Sequence, residues 1–366
     1  MTHRVFLGGP IFDGDALHVG AALEVASGRV ARLHARAADA RQDVARVDLG
    51  GDLVVPGFVD LQVNGGGGVL VGAAPDALAR TCAAHRRLGT TCLLPTLITA
   101  SPRTTEAVIA EALRGAIPGL AGLHLEGPHL DPRKAGAHDP ALIRPMTADD
   151  LALYRAAAQR LRLKITLAPE GATEAQVAAL AEAGATVFLG HSACDAGTAA
   201  RYFAAGARGV THLWNAMSPM TARAPGLVGA ALEAGVACGV IADGLHVHPH
   251  TLRASLAAAQ GPVFLVSDAM ACAGTDLDRF ALGGREVLRR DGALRLADGT
   301  LAGADLDLRR AVQVLVAELD VPLARALAMA TSVPADVMGL PAGRLGPGAP
   351  AELVRLSPDL ARLSVP

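Results

Sequence analysis

Apolar residues along this chain fall in short continuous runs, and the stretches between them carry helical spacing. Eight such runs stand out, at residues 57–62, 91–95, 122–125, 164–168, 186–189, 209–212, 238–242 and 263–267. A run that is apolar throughout, with no alternation, marks a strand buried on both faces, as in a parallel sheet covered by helices. The intervening segments have helix-boundary signals. Ser101-Pro102 reads as an N-cap followed by proline at the first helical position. Thr173-x-x-Gln176 has the form of a capping box. Gly89, Gly184 and Gly206 sit where a left-handed C-cap belongs. A helix end, a glycine and a strand recur as Leu88-Gly-Thr-Thr-Cys-Leu-Leu94, Ala183-Gly-Ala-Thr-Val-Phe-Leu189 and Ala205-Gly-Ala-Arg-Gly-Val-Thr211.

Eight strand–helix units predict an α/β fold, a TIM-like (β/α)8 barrel. An open doubly wound sheet uses the same units and is the alternative. The barrel is favoured because several runs end on a group capable of chemistry. Gly122-Leu-His-Leu-Glu-Gly-Pro-His-Leu130 stops on Glu126 and turns at once, with His124 and His129 close by. Later runs lead into His191, His212, Asp243 and Asp268. Functional groups gathered at strand ends on one side are how such a barrel builds an active site.

Outside the barrel pattern, Val5–Leu7, Ala22–Val25, Arg29–Leu33 and Ala45–Leu49 read as short strands separated by glycine turns. Residues 351–356 read as another, after the Gly/Pro-rich run 343–350. The economical arrangement is a small β-sandwich domain built from both chain termini, residues 1–52 and 343–366, flanking a barrel at 53–342. Residues 274–300 are polar, glycine-rich and weakly strand-like, an insertion or lid. Residues 305–319 and 322–331 read as helical.

Composition narrows the function without naming it. The 366 residues carry a formal charge of -2, so bulk electrostatics give no reason to expect a nucleic-acid or membrane-surface partner. The five cysteines are odd in number and none is in CxxC spacing, which argues against a zinc ribbon or a disulfide framework. Free thiols fit a reducing cytoplasm. Neither a signal peptide nor a bilayer-spanning run is evident, so a soluble cytoplasmic protein is expected.

Glu126, His191 and His212 together form a carboxylate and two imidazoles. That set suits a catalytic zinc, with three protein ligands and an open fourth position. Iron, manganese or cobalt would fit the same ligands. Each histidine taken singly is as readily a satisfied polar group. Asp268 is the candidate general base and acid, taking a proton from water and passing it to a leaving amine; its bland alternative is a helix N-cap.

The motifs Pro56-Gly-Phe-Val-Asp-Leu-Gln-Val-Asn-Gly65, His124-Leu-Glu-Gly-Pro128, Gly136-Ala-His138, Gly190-His-Ser192, Thr211-His-Leu-Trp-Asn-Ala-Met217, Ile241-Ala-Asp-Gly-Leu-His-Val247 and Ser267-Asp-Ala269 occur in this order across the barrel. In this set the chain resembles the N-acetylglucosamine-6-phosphate deacetylases of the amidohydrolase superfamily. The resemblance implies hydrolysis of the acetamide of N-acetyl-D-glucosamine 6-phosphate to D-glucosamine 6-phosphate and acetate, in a homodimer. It implies Glu126, His191 and His212 as ligands of one divalent metal ion, Asp268 as catalytic base and acid, and His138 steadying the acetyl carbonyl. Ala137, Asn215, Ala216 and Asp243 would contact substrate. Arg223 and His246 would meet the phosphate, with a contact across the dimer interface in view, and Leu301, Ala302 and Gly303 would line the sugar. Many amidohydrolases have His-x-His on the first strand for a second metal; here that position is Gln62-Val-Asn64, and amides are poor zinc ligands, so a single metal is expected. Alanine at 304, where serine is expected, and Met270-Ala-Cys-Ala-Gly274 also depart from the pattern. The competing readings are a related amidohydrolase acting on another N-acyl sugar or N-acyl amino acid, and a non-catalytic sugar-phosphate-binding barrel. A nucleotide-binding α/β protein is disfavoured, because Gly65–Gly68 follows a strand without GxGxxG spacing or a P-loop lysine.

Overall fold

The computed structural model describes residues 3–72 and 74–366. Eight parallel strands form one sheet in which neighbours in space are neighbours in sequence. They are Phe58–Val63, Thr90–Ile98, Leu123–Glu126, Leu163–Leu167, Thr186–Leu189, Gly209–Val210, Ala237–Val240 and Val263–Leu265. A doubly wound sheet would reverse its strand order at a switch point; this one does not. It closes on itself, because the Asp268 N–H donates to Gln62 O at 3.0 Å and the Asn64 N–H donates to Ala269 O at 2.8 Å. A parallel bridge between Val63 and Ala269 joins the first strand to the end of the last. The eight strands are the eight apolar runs read from sequence, and the closed barrel is the expected fold.

The helices begin and end where local chemistry directs. Ser101 Oγ accepts from Thr104 N at the start of Pro102–Arg114. Thr173 and Gln176 make a reciprocal capping box at Glu174–Glu182. Gly89, Gly184 and Gly206 all have positive φ and turn a helix end into the next strand.

The terminal segments build two sheets. One has the order Arg29–His34, Ala22–Ala26, His3–Leu7, Ala45–Asp48. In the other, Leu353–Leu356 pairs antiparallel with Leu53–Pro56, which also meets Ile11–Phe12. Phe6, Ile11, Leu23, Val54 and Leu353 form a core of their own. Leu53–Pro56 thus belongs to the terminal sheets, and the barrel's first strand starts after it.

Residues 274–300 are more regular than their sequence implies. Arg279–Leu282, Arg285–Arg290, Ala293–Leu296 and Leu301–Ala304 make an antiparallel sheet. Its apolar face packs on Met270 and Cys272, just beyond the last barrel strand. Ala304 bridges Ala269, which ties this sheet to the mouth of the barrel. The helices expected at 305–319 and 322–331 are Leu308–Leu319 and Leu323–Met329, and a further helix, Ser332–Met338, follows.

Candidate active site

The strand ends deliver their side chains to one cavity. Glu126 is the last residue of its strand. Gly127 then takes φ +81°, and a Cβ there would lie 2.3 Å from Thr99 Oγ1, so the turn requires glycine. His191, His212 and Asp268 follow their strands and all have left-handed backbones, with φ of 47°, 34° and 50°. Such conformations cost about 1–3 kcal/mol each in a non-glycine residue and cluster at functional sites.

Glu126 Oε1 lies 3.1 Å from His212 Nε2 and 3.5 Å from His191 Nε2. The two Nε2 atoms are 3.1 Å apart. Three ligands placed tetrahedrally at zinc distances would be separated by about 3.3 Å, so the triangle has the dimensions of a cation site. The donor chemistry fits too. His191 Nδ1 donates to Lys134 O at 2.7 Å, which leaves the Nε2 lone pair facing its neighbours. His212 Nδ1 is buried without a partner. Burial alone would push the Glu126 carboxyl up, but the adjoining His191 and His212 imidazoles hold it well below the ordinary range. Burial likewise opposes a proton on His212, yet its bond to Glu126 and that residue's charge raise it. These three can hold one divalent metal ion.

Beside the triangle, Gln62 Nε2 donates to Asp268 Oδ1 at 2.9 Å and approaches Glu126 Oε1 at 3.2 Å. Asn64 Nδ2 donates to the same Asp268 oxygen at 2.7 Å. Amide N–H groups thus stand where His-x-His relatives would present lone pairs. Burial, then the Glu126 charge, raises the Asp268 carboxyl, while the Asn64 bond opposes the rise.

His138 has the opposite tautomer to His191. The Thr99 N–H donates to its Nδ1 at 3.3 Å, so Nε2 carries the hydrogen. Burial and the neighbouring His191 push its pKa down to about 3, so the ring is neutral. A neutral N–H donor therefore faces the cavity, with Nε2 3.9 Å from Glu126 Oε2.

The cavity, about 240 Å³, is lined by these groups and by Ala137, Asn215, Ala216, His246, Leu301 and Gly303. His246 Nδ1 donates to Asp243 Oδ2 at 2.6 Å, which turns Nε2 outward. Asp243 is off the wall and orients His246 instead. Ala302 is fully buried and Arg223 is exposed, and neither lines the cavity. Gly303 has φ +66° and packs against Met270, where a Cβ would come within 2.4 Å of its Cγ. Ala304 lies behind the wall, donating its N–H to Asp268 O. His124 and His129 are scaffold: the first bonds Thr96 and Thr166, the second Arg144 O and Tyr154.

Two charged residues inside the barrel escape a reading of sequence alone. Asp60 accepts N–H bonds from Ser267 and Gln62, and burial raises its pKa to about 7. Lys164 reaches toward Leu61 O and lies 4.8 Å from the Phe188 ring centroid, and burial lowers its pKa to about 8. Their signal is a charge within an otherwise continuous apolar strand. Thr99, which sets the His138 tautomer, had no signal beyond its place at a strand end.

An amidohydrolase family model matches residues 53–365. The N-acetylgalactosamine-6-phosphate deacetylase of Shewanella sp. (strain ANA-3) is 40% identical over 353 residues, spanning 94% of this chain and 89% of that protein. The structure of N-acetylglucosamine-6-phosphate deacetylase from Pasteurella multocida superposes with a TM-score of 0.93 at 32% identity, over 99% of this chain and 98% of that one. A mutant of the Mycobacterium smegmatis N-acetyl-D-glucosamine-6-phosphate deacetylase, in complex with N-acetyl-D-glucosamine-6-phosphate, gives 0.91 at 34% identity, over 99% and 97%.

A cation that binds the folded chain alone stabilises it by about 2.7 kcal/mol at a hundredfold excess over its dissociation constant. Adding zinc to chelator-treated protein is expected to raise its melting temperature, and Glu126→Gln is expected to remove most of that rise. An equal rise in the variant, followed by calorimetry, would place the binding elsewhere.

Proposed function

The chain belongs to the amidohydrolase family, and on that premise we propose that it hydrolyses the acetamide of N-acetyl-D-glucosamine 6-phosphate, releasing acetate and D-glucosamine 6-phosphate. The observation that carries this reading is the convergence of Glu126, His191 and His212 with Asp268 on one cavity. A divalent cation held there, zinc or iron, manganese or cobalt in its place, lowers the pKa of water towards ~7 and polarises a carbonyl.

The chain's own groups do the rest. Asp268, oriented by the Gln62 and Asn64 amides, takes the proton from the attacking water. It then returns that proton to the leaving amine nitrogen as the carbon–nitrogen bond breaks. The neutral Nε2–H of His138 donates to the acyl oxygen as it gains charge. Asn215, Ala216, Leu301 and Gly303 position the sugar, and His246 faces its phosphate with Ala137 beside the acyl group.

Among the described residues lining the cavity there is no lysine or arginine. We therefore assign a cation for the phosphate to the exposed Arg223 of another copy, in a homodimer. Residues 1–52 and 343–366, together with the strand Leu53–Pro56, are assigned to one small β domain, and the chain from 57 to 342 to the catalytic barrel. Among the described residues no helix is long and apolar enough to cross a membrane, and the five unpaired cysteines fit a cytoplasmic enzyme.

A second reading takes the 4-epimer, N-acetyl-D-galactosamine 6-phosphate, as substrate. It is favoured by the 40% identity with the Shewanella enzyme, which bears that name. Acetate release from both phosphorylated epimers and from unphosphorylated N-acetylglucosamine separates these readings. The proposal expects the phosphorylated sugars to react far faster; equal rates on the plain sugar would remove the phosphate claim. Asp268→Asn is expected to lower turnover by about 10²–10⁴-fold while calorimetry still detects substrate binding, and an unchanged rate would show that Asp268 is not the base.

The pH profile gives a separate check. Asp268 works ionised, and the Asn64 N–H favours that form. Asn64→Ala removes the donor, so the Asp268 pKa rises and the acidic limb of kcat/KM moves to higher pH. An unmoved limb would contradict the assignment.

A further inference from the structure

A second cavity, about 190 Å³, adjoins the first and is lined mainly by apolar side chains. The two share Asn64, Ile98, Ala137 and Leu282 as a common wall. Beyond that wall the second cavity is bounded by Leu70, Val71, Leu97 and Ala100, with Asp139 and Arg285 also on its lining. Its place relative to the reacting groups is what gives it meaning. Asn64 touches Asp268, and Ala137 precedes His138. The wall therefore stands beside the base and the carbonyl donor.

The groups suited to sugar and phosphate lie elsewhere around the barrel mouth. Asn215, Ala216 and His246 follow the sixth and seventh strands. The side cavity is built by residues following the first strand, by the end of the second strand and the residues after it, by the loop after the third, and by Leu282 and Arg285 of the antiparallel sheet. An N-acyl amino sugar spanning this mouth, with its amide at Asp268 and His138, directs its sugar toward strands six and seven. Its acyl group then points toward strands one to three, between Ile98 and Leu282.

We propose that this cavity is an acyl pocket, and that the enzyme hydrolyses N-acyl amino sugar 6-phosphates with linear acyl chains longer than acetyl. The inference rests on the deacetylase reading above. An apolar cavity of about 150 Å³ admits a six-carbon ring, so the volume here accommodates a chain of about four to six carbons. The chemistry is the same hydrolysis: water adds across the amide, and the products are the free amine and the carboxylic acid.

The test is a chain-length series of N-acetyl, N-butyryl and N-hexanoyl glucosamine 6-phosphate, read as amine release. A methylene that the site cannot admit costs about 10–200-fold in kcat/KM, so a site closed after acetyl would lose at least about 100-fold on butyryl, whereas the acyl pocket is expected to keep butyryl within about tenfold of acetyl. Ala100→Phe and Leu142→Trp fill the side cavity from different walls, at positions given no catalytic or binding role above. Each is expected to lower the hexanoyl-to-acetyl ratio of kcat/KM more than tenfold, on the same per-methylene scale, with acetyl hydrolysis kept. Hydrolysis of acetyl alone would overturn the acyl pocket and leave the deacetylase reading intact, as would fillers that slow all three substrates equally. No release from any of the three would overturn both.

Discussion

The barrel's interior gathers three carboxyl groups around a single lysine. Asp60, Glu126 and Asp268 are all buried, and the barrel's one buried lysine is Lys164. A buried, unpaired charge is costly enough that the group normally gives it up or finds a partner. Burial raises Asp60 and Asp268 above the ordinary carboxylate range, and a divalent cation near them would favour their ionised forms. The Glu126, His191 and His212 triangle supplies a place for such a cation.

That demand organises the surrounding structure. The strained backbones of His191, His212 and Asp268 turn three side chains inward from strand ends that would otherwise diverge. The Lys134 carbonyl and the Thr99 backbone fix opposite tautomers on His191 and His138, so that one ring offers a lone pair and the other an N–H. Gln62 and Asn64 present amide hydrogens to the carboxylates. The same pair orients Asp268, with the amide oxygens left unpartnered.

Much of this was legible in the chain. Buried parallel strands must be apolar throughout, so all eight could be read directly, and a strand that ends on Glu126 advertises its tip. The antiparallel sheet at 279–304 was harder, because it buries one face only and a segment such as Arg285–Arg290 is mostly charged. Asp60 and Lys164 fall within runs read as apolar strands; only the closed barrel brings Asp60 to the Ser267 N–H and Lys164 toward the Leu61 carbonyl. Arg223, Asp243 and Ala302 come from the family resemblance, yet position in a pattern says nothing about which way a side chain faces. The structure puts the first on the surface, the second behind His246 and the third in the core beneath the insertion.

The central claim concerns one ion and its surroundings. Anomalous diffraction from crystals of the metal-loaded protein, collected at the absorption edge of the bound element, tests it most directly. The account predicts a single peak at about 2.0–2.2 Å from Glu126 Oε1, His191 Nε2 and His212 Nε2. A second peak against Gln62 and Asn64, or none within the triangle, would contradict it.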